Sequence, residues 1–216
     1  MITSPATRSQ LAQEVAAERR ELADVLSSWP AECWDRATLC AGWRVRELVA
    51  HMTMPFRYST ARFVAELVRS GGRFSAMADR CARRDAAAPV SELLSALRDN
   101  ATNPWTPPGG GLAGALTHDV IHGLDATVPL GIGRRVPAER LRIVLESVSG
   151  PGALRHFGTD LSGIELLADD LDWSFGSGQP LAGAAQDLAL IVCGRKLPAG
   201  RLRGEQAARF TASRYR

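Results

Sequence analysis

The chain is almost without lysine. Lys196 is the only one, and arginine supplies the rest of its 26 basic residues, set against 23 acidic ones. The formal charge of +3 is close to balance, and acidic residues are interspersed with the arginines throughout. No dense basic run follows from this, which argues against a nucleic-acid partner. Arginine in place of lysine, beside abundant alanine, reads as the coding bias of a GC-rich genome. Cysteine is sparse too. Cys33, Cys40, Cys81 and Cys193 stand far apart with no Cys-x-x-Cys pair, which excludes a zinc knuckle and a dithiol redox motif and suits a reducing compartment. Apolar runs of membrane-spanning length are missing, and residues 1–5 lack the apolar core of a signal peptide. The expectation is a cytoplasmic chain with no membrane partner, a monomer or homodimer.

What is present is mostly helix-forming, over a length that can bury a sizeable core. Residues 7–28 place Leu11, Val15, Leu22 and Val25 at helical spacing, with Glu14, Glu18, Arg19, Arg20 and Glu21 filling much of the opposite face, and Pro30 ends the pattern. Residues 31–41, with Trp34 and Cys40, read as a packed connection. A second helix starts at Trp43 or Arg44 and carries Val45, Leu48, Val49 and Met52. Pro55 is expected to break or bend it, with helix resuming over 57–68. Residues 74–88 read as short helical pieces and 90–100 as a helix opened by Pro89. The proline- and glycine-rich stretch 103–111 is the strongest punctuation in the chain and leads into a helix through Asp125. Another helix follows Pro137.

Gly150-Pro151-Gly152 reads as a domain boundary. Beyond it, 163–168 and 172–175 have the composition of short strands separated by the turn residues Asp169-Asp170. Residues 181–193 read as an apolar helix capped by Gly194, and 201–216 as a polar, arginine-rich tail. The expected fold is mostly α: a helical bundle over 1–150 and a small α+β domain over 151–216.

The chemistry gathers on histidine, of which there are four. His118 and His122 are four residues apart, one turn apart on the same helix face. His51 follows the Val45-Leu48-Val49 pattern, so its ring points into the bundle or its mouth. Three imidazoles from two facing helices can hold one divalent metal with coordination positions left open. Zinc suits nitrogen ligands best, with nickel as the alternative. Such an ion acts as a Lewis acid or activates a bound water or thiol. The zinc-protease motif needs glutamate directly after the first histidine; Asp119 stands there, one carbon shorter, which argues against peptide hydrolysis by that route. Asp125 returns to the histidine face seven residues past His118, where it can orient a ligand or close a helix-end ion pair. His156 reads as a surface or packing residue.

The stretch Leu39-Cys40-Ala41-Gly42-Trp43-Arg44-Val45-Arg46-Glu47-Leu48-Val49-Ala50-His51 resembles the opening motif of the mycothiol-dependent maleylpyruvate isomerase family, within the DinB/YfiT-like metalloenzyme superfamily. The resemblance implies a DinB-like up-down four-helix bundle in which His51 is a metal ligand. It puts the family's second motif, Glu-x-x-x-His or His-x-x-x-His, on His118 and His122, and its His-x-x-Asp ending on His122-Gly123-Leu124-Asp125. Residues 167–174 and 183–195 are similar to the family's small C-terminal domain. The resemblance implies a metal-held low-molecular-weight thiol, mycothiol or a similar one, as cosubstrate. It would act on a small electrophilic substrate by S-transfer or isomerisation, with Arg195 as an anchor for a substrate carboxylate.

The sequence departs from the family pattern twice. Arg44 stands at the helix N-cap where members often carry Ser or Thr, and its side chain cannot accept the orphan N–H bonds. His118 stands where the isomerase proper has glutamate, which makes the site one charge more positive. A metal-dependent hydrolase with a metal-bound water, and a non-catalytic metal-binding regulatory module, are the competing readings.

Overall fold

The computed structural model describes residues 7–212; residues 1–6 and 213–216, with the ends of the opening segment and of the tail, lie outside the described residues. Helix α1 (Arg8–Ser27) opens with a capping box. The Thr7 hydroxyl accepts from the Gln10 N–H while the Gln10 side chain accepts from the Thr7 N–H. Then come α2 (Val45–Arg57), α3 (Thr60–Arg69), α4 (Phe74–Asp85), α5 (Val90–Asp99) and α6 (Gly111–Thr127). Helices α1, α5, α2 and α6 form the bundle, each packed on two of the others in that cyclic order. Helices α3 and α4 are an excursion between α2 and α5, with α4 laid on α2. The interior includes Leu22 and Leu26 from α1, Val49 and Met52 from α2, and Leu93 and Leu97 from α5.

Helices α7 (Ala138–Ser149) and α8 (Pro151–Phe157) lead to the C-terminal part. There β1 (Ile164–Ala168) pairs antiparallel with β2 (Ser174–Gly176) and parallel with β3 (Gln179–Gly183). After α9 (Ala185–Val192), β4 (Leu202–Arg203) pairs with β3, giving the order β2-β1-β3-β4. A continuous core joins Leu116 and Leu124 of α6 and Leu145 of α7 to Leu166, Leu181 and Leu188. Apolar packing therefore runs across residue 150. Among the described residues no helix is long and apolar enough to cross a membrane.

Several local expectations are corrected. Pro55 lies inside the last turn of α2 and the helix continues to Arg57. The hydrogen bond that proline cannot donate falls where the helix is already ending, and Arg57 ties that turn by donating to the Thr53 hydroxyl and the Ala50 carbonyl. Residues 74–85 form one helix, not short pieces. The apolar run 181–193 is split: Leu181 sits in β3 beside Leu166, and the helix begins only at Ala185. The tail contributes β4 and a 3-10 turn, Glu205–Phe210, whose Phe210 is buried. Glu18 and Arg19, placed by periodicity on the solvent face of α1, are both fully buried. Each has partners far along the chain: Glu18 accepts from Arg134 and Arg140, and Arg19 pairs with Asp119. Ion pairing is what makes such burial tolerable.

Two helix starts are held by carboxylates. At α2 the Glu47 carboxylate accepts the Arg44 N–H at 2.8 Å and is clamped by the Arg44 guanidinium, the half of a capping box that needs no hydroxyl at position 44. At α9 the Asp170 carboxylate accepts the Ala185 N–H at 2.7 Å. Asp170→Ala should cost about 1 kcal/mol, seen as a thermal midpoint lower by roughly 2–4 °C, with metal binding unaltered.

Candidate metal centre

Bundle packing sets α2 against α6, and this brings His51, His118 and His122 together. The ring centroids of His118 and His122 are 4.7 Å apart, as expected one turn apart, and His51 lies 5.4 and 5.1 Å from them. A ring nitrogen of each falls within 4.8 Å of the others, within reach of one ion. Trp43 packs on His51 and Trp105 on His118, restricting both rings.

Each histidine of α6 has a carboxylate on Nδ1. Asp125 Oδ2 lies 3.0 Å from His122 Nδ1, and Asp119 Oδ1 lies 2.9 Å from His118 Nδ1. A carboxylate on one ring nitrogen fixes the tautomer and leaves the other free to bind a metal. Both carboxylates are in turn held. Arg19 donates to Asp119 at 2.7 Å. Arg195 donates to both oxygens of Asp125, from Nε at 2.9 Å and from Nη2 at 2.8 Å, the bidentate geometry that suits guanidinium and carboxylate. The Cys40 thiol donates to Asp125 Oδ2 at 3.0 Å, and the Leu39 N–H to the Asp125 backbone carbonyl.

The electrostatics suit lone-pair donation. Burial, reinforced by the neighbouring histidines, holds His51 well below the ordinary imidazole range. Burial outweighs Asp125 and brings His122 down to about 4. Burial opposes the charge on Asp125, but Arg195 overrides it and keeps the carboxyl far below its usual range. The Cys40 thiol is pushed up by burial and by the Asp125 charge, so it stays protonated and donates. Unlike its two counterparts, His51 Nδ1 is buried with no hydrogen-bond partner. An orphaned imidazole nitrogen beside two oriented ones fits a site built to receive an ion. Cys40, His122 and Asp125 also lie within 4.8 Å of one another, but Arg195 and the thiol already saturate Asp125, so this second group supports the first.

A cleft of about 950 Å³ opens over the histidines, between the bundle and the C-terminal part. His156 lines it, exposed at the rim. Arg195 lines it too, but Nε and Nη2 are spent on Asp125, and Nη1 donates to the Cys193 carbonyl. The guanidinium expected to hold a substrate carboxylate instead holds the aspartate that holds His122. Sequence reasoning missed Cys40, Arg19 and the support of Asp119 for His118. Cys40 lies inside the motif that ends at His51, which is a usable signal; nothing local links Arg19 to a residue 100 positions away.

The family profile described as Mycothiol maleylpyruvate isomerase N-terminal domain matches residues 15–126, just over half of the chain. No curated protein sequence matches significantly. Among solved structures, the crystal structure of the mycothiol-dependent maleylpyruvate isomerase is similar in fold, with a TM-score of 0.53 at 12% identity over 94% of each chain. A histidine-to-alanine mutant of that enzyme is similar at a TM-score of 0.52, with the same identity and coverage.

Proposed function

Because the chain belongs to the mycothiol maleylpyruvate isomerase family, we propose that it is an enzyme in which His51, His118 and His122 hold a divalent metal, zinc in the first instance, to use a low-molecular-weight thiol such as mycothiol against a small electrophile. The observation that carries this reading is the convergence of three imidazole nitrogens within 4.8 Å of one another at the floor of a large cleft. Bound there, the ion would supply a Lewis acid that keeps a thiol as thiolate, its nucleophilic form.

The chain's own residues do the rest. Burial keeps His51 and His122 neutral, so their lone pairs are available without first losing a proton. Asp125 orients the His122 ring, and Arg195 and Cys40 hold Asp125 in place. The cleft is large enough for a thiol cosubstrate and a second molecule together. Among the described residues no Asp or Glu lines it. A hydrolase would use such a carboxylate as the base on an attacking water, so the thiol reading is the better supported.

The proposal requires about one divalent ion per chain by elemental analysis after purification or zinc loading; a chain that takes up none is not a metalloenzyme of this kind. Asp125→Asn should lower zinc affinity about 10–100-fold, the usual cost of losing a carboxylate that orients a ligand histidine. Competition against a chromogenic chelator measures it.

A further inference from the structure

Helix α3 has an apolar side that no described residue covers. Three large apolar side chains are exposed among the described residues, and all belong to α3 and α4: Val64 at 51%, Val68 at 71% and Phe74 at 50%. On α3, Phe63 and Leu67 turn inward, onto the cluster of Met54, Met77 and Cys81. Ala61, Val64, Ala65 and Val68 are all exposed. Their spacing of three and four residues makes one stripe, the pattern a helix normally turns to a core. Phe74 adjoins it through Phe63, the two ring centroids being 6.4 Å apart. Apolar residues scattered singly on a surface are ordinary, whereas a contiguous patch marks a contact.

The charge around the stripe is mostly of one sign. Residues 57–85 contain seven arginines and three carboxylates, an excess larger than the +3 of the whole chain. The Glu66 and Asp85 side chains are almost covered, and they are shared among Arg57, Arg62, Arg69, Arg80 and Arg84. Asp79 is taken up by Arg83 and the Trp43 indole N–H. Arg62 and Arg69 are exposed on α3 beside the stripe, and Arg73 is exposed at the start of α4. The main contact of α3 is α4, so the stripe stands out from the bundle as the side of a single helix. Five apolar side chains, two of them alanine, fall short of the roughly 800 Å² per partner that a stable dimer buries. A second copy would also bring an equal excess of arginine against this one. A lipid surface asks for less: an apolar helix side at the acyl boundary, with basic side chains among anionic headgroups.

We propose that the outer face of α3, with Phe74, docks on an anionic lipid surface, the apolar stripe entering the headgroup boundary and the arginines meeting lipid phosphates. The contact is peripheral, since the ten residues of α3 make a rod about 15 Å long, half the thickness of the hydrocarbon core. The expectation of no membrane partner rested on the want of a spanning segment, which does not bear on contact with a surface. Nothing in the inference depends on the metal or the thiol.

The test is co-flotation of the full chain with vesicles of phosphatidylcholine alone and of phosphatidylcholine with one third phosphatidylglycerol, at about 50 and about 200 mM salt. The chain should bind the anionic vesicles and not the neutral ones, and the rise in salt should weaken binding about tenfold. Val64→Ser with Val68→Ser should lower binding about tenfold or more. Zinc affinity and the thermal midpoint should stay near the parent's in that variant, because both side chains are exposed and neither lines the cleft. Arg69→Gln with Arg73→Gln should lower binding by a similar factor. No binding to the anionic vesicles, equal binding to both compositions, or binding that survives the loss of both valines overturns the proposal. So does self-association of the parent chain, read by sedimentation equilibrium, that the valine variant abolishes, for the face then belongs to a second copy.

Discussion

His122→Ala should weaken zinc binding by more than about 100-fold while leaving the far-ultraviolet helical signal intact. The magnitude follows from comparison with more distant losses: removing a group that merely orients a ligand histidine costs 10–100-fold, and removing the ligand itself must exceed that. The helical signal survives because nothing charged is orphaned. Without the ring, Asp125 keeps its two bonds from Arg195 and its bond from the Cys40 thiol. The vacated volume opens into the cleft that His122 lines, so no sealed cavity forms in the core. His51→Ala should behave alike. His156→Ala should leave zinc affinity unchanged, because that side chain lies at the rim and apart from the cluster. Retention of full zinc affinity in His122→Ala excludes the residue as a ligand.

The second large effect is structural. Arg19→Met should destabilise the fold by about 3–5 kcal/mol, the cost of leaving one partner of a buried ion pair uncompensated. For a chain of this size the thermal midpoint then falls by about 10 °C. Arg19 is fully buried, and Asp119, its partner at 2.7 Å, is almost so. The guanidinium also donates to the Asn103 carbonyl at 2.7 Å and rests on the Phe56 ring. It therefore ties α1 to the loop that delivers α6 and to the last turn of α2. Replacing both partners, Arg19→Met with Asp119→Asn, should recover part of the loss, since no full charge is then stranded. A double-mutant cycle of the two reads the coupling directly. Zinc affinity should drop in the single variant as well, because Asp119 also holds His118 Nδ1. A thermal midpoint within a degree or two of the parent contradicts this account of the bundle's interior.

The two predictions rest on features of unequal visibility in the sequence. The histidine cluster could be read because helical spacing is local: His118 and His122 had to share a face, and His51 had to follow the buried side of its own helix. Asp125 followed from the same periodicity. The short β1–β2 hairpin was visible through Asp169-Asp170, and the end of α9 through Gly194, which takes a φ of 78°. Arg19 and Glu18 could not be read. Periodicity sorts residues by side-chain polarity, and it cannot know that Asp119, Arg134 and Arg140 return to meet them. Strand β3 was hidden because Leu181 to Gly183 continue into an apolar helix with no polar break, and only pairing with β1 distinguishes them. Arg195 was picked out as a group near the chemistry; its hold on Asp125 lies 70 positions away in the chain and only the fold shows it.

The role of Arg195 bears on the reaction. In the structure it is part of a chain that runs from Arg195 to Asp125 to His122, and it tunes the cluster without presenting a free charge to the cleft.

The most direct measurement of the central claim is a calorimetric titration of mycothiol into the zinc-loaded chain and into the same chain after chelator treatment. The account predicts saturable binding to the zinc-loaded chain and none to the stripped one, restored when zinc is returned. Binding that survives chelation, or no binding to the zinc-loaded chain, contradicts it.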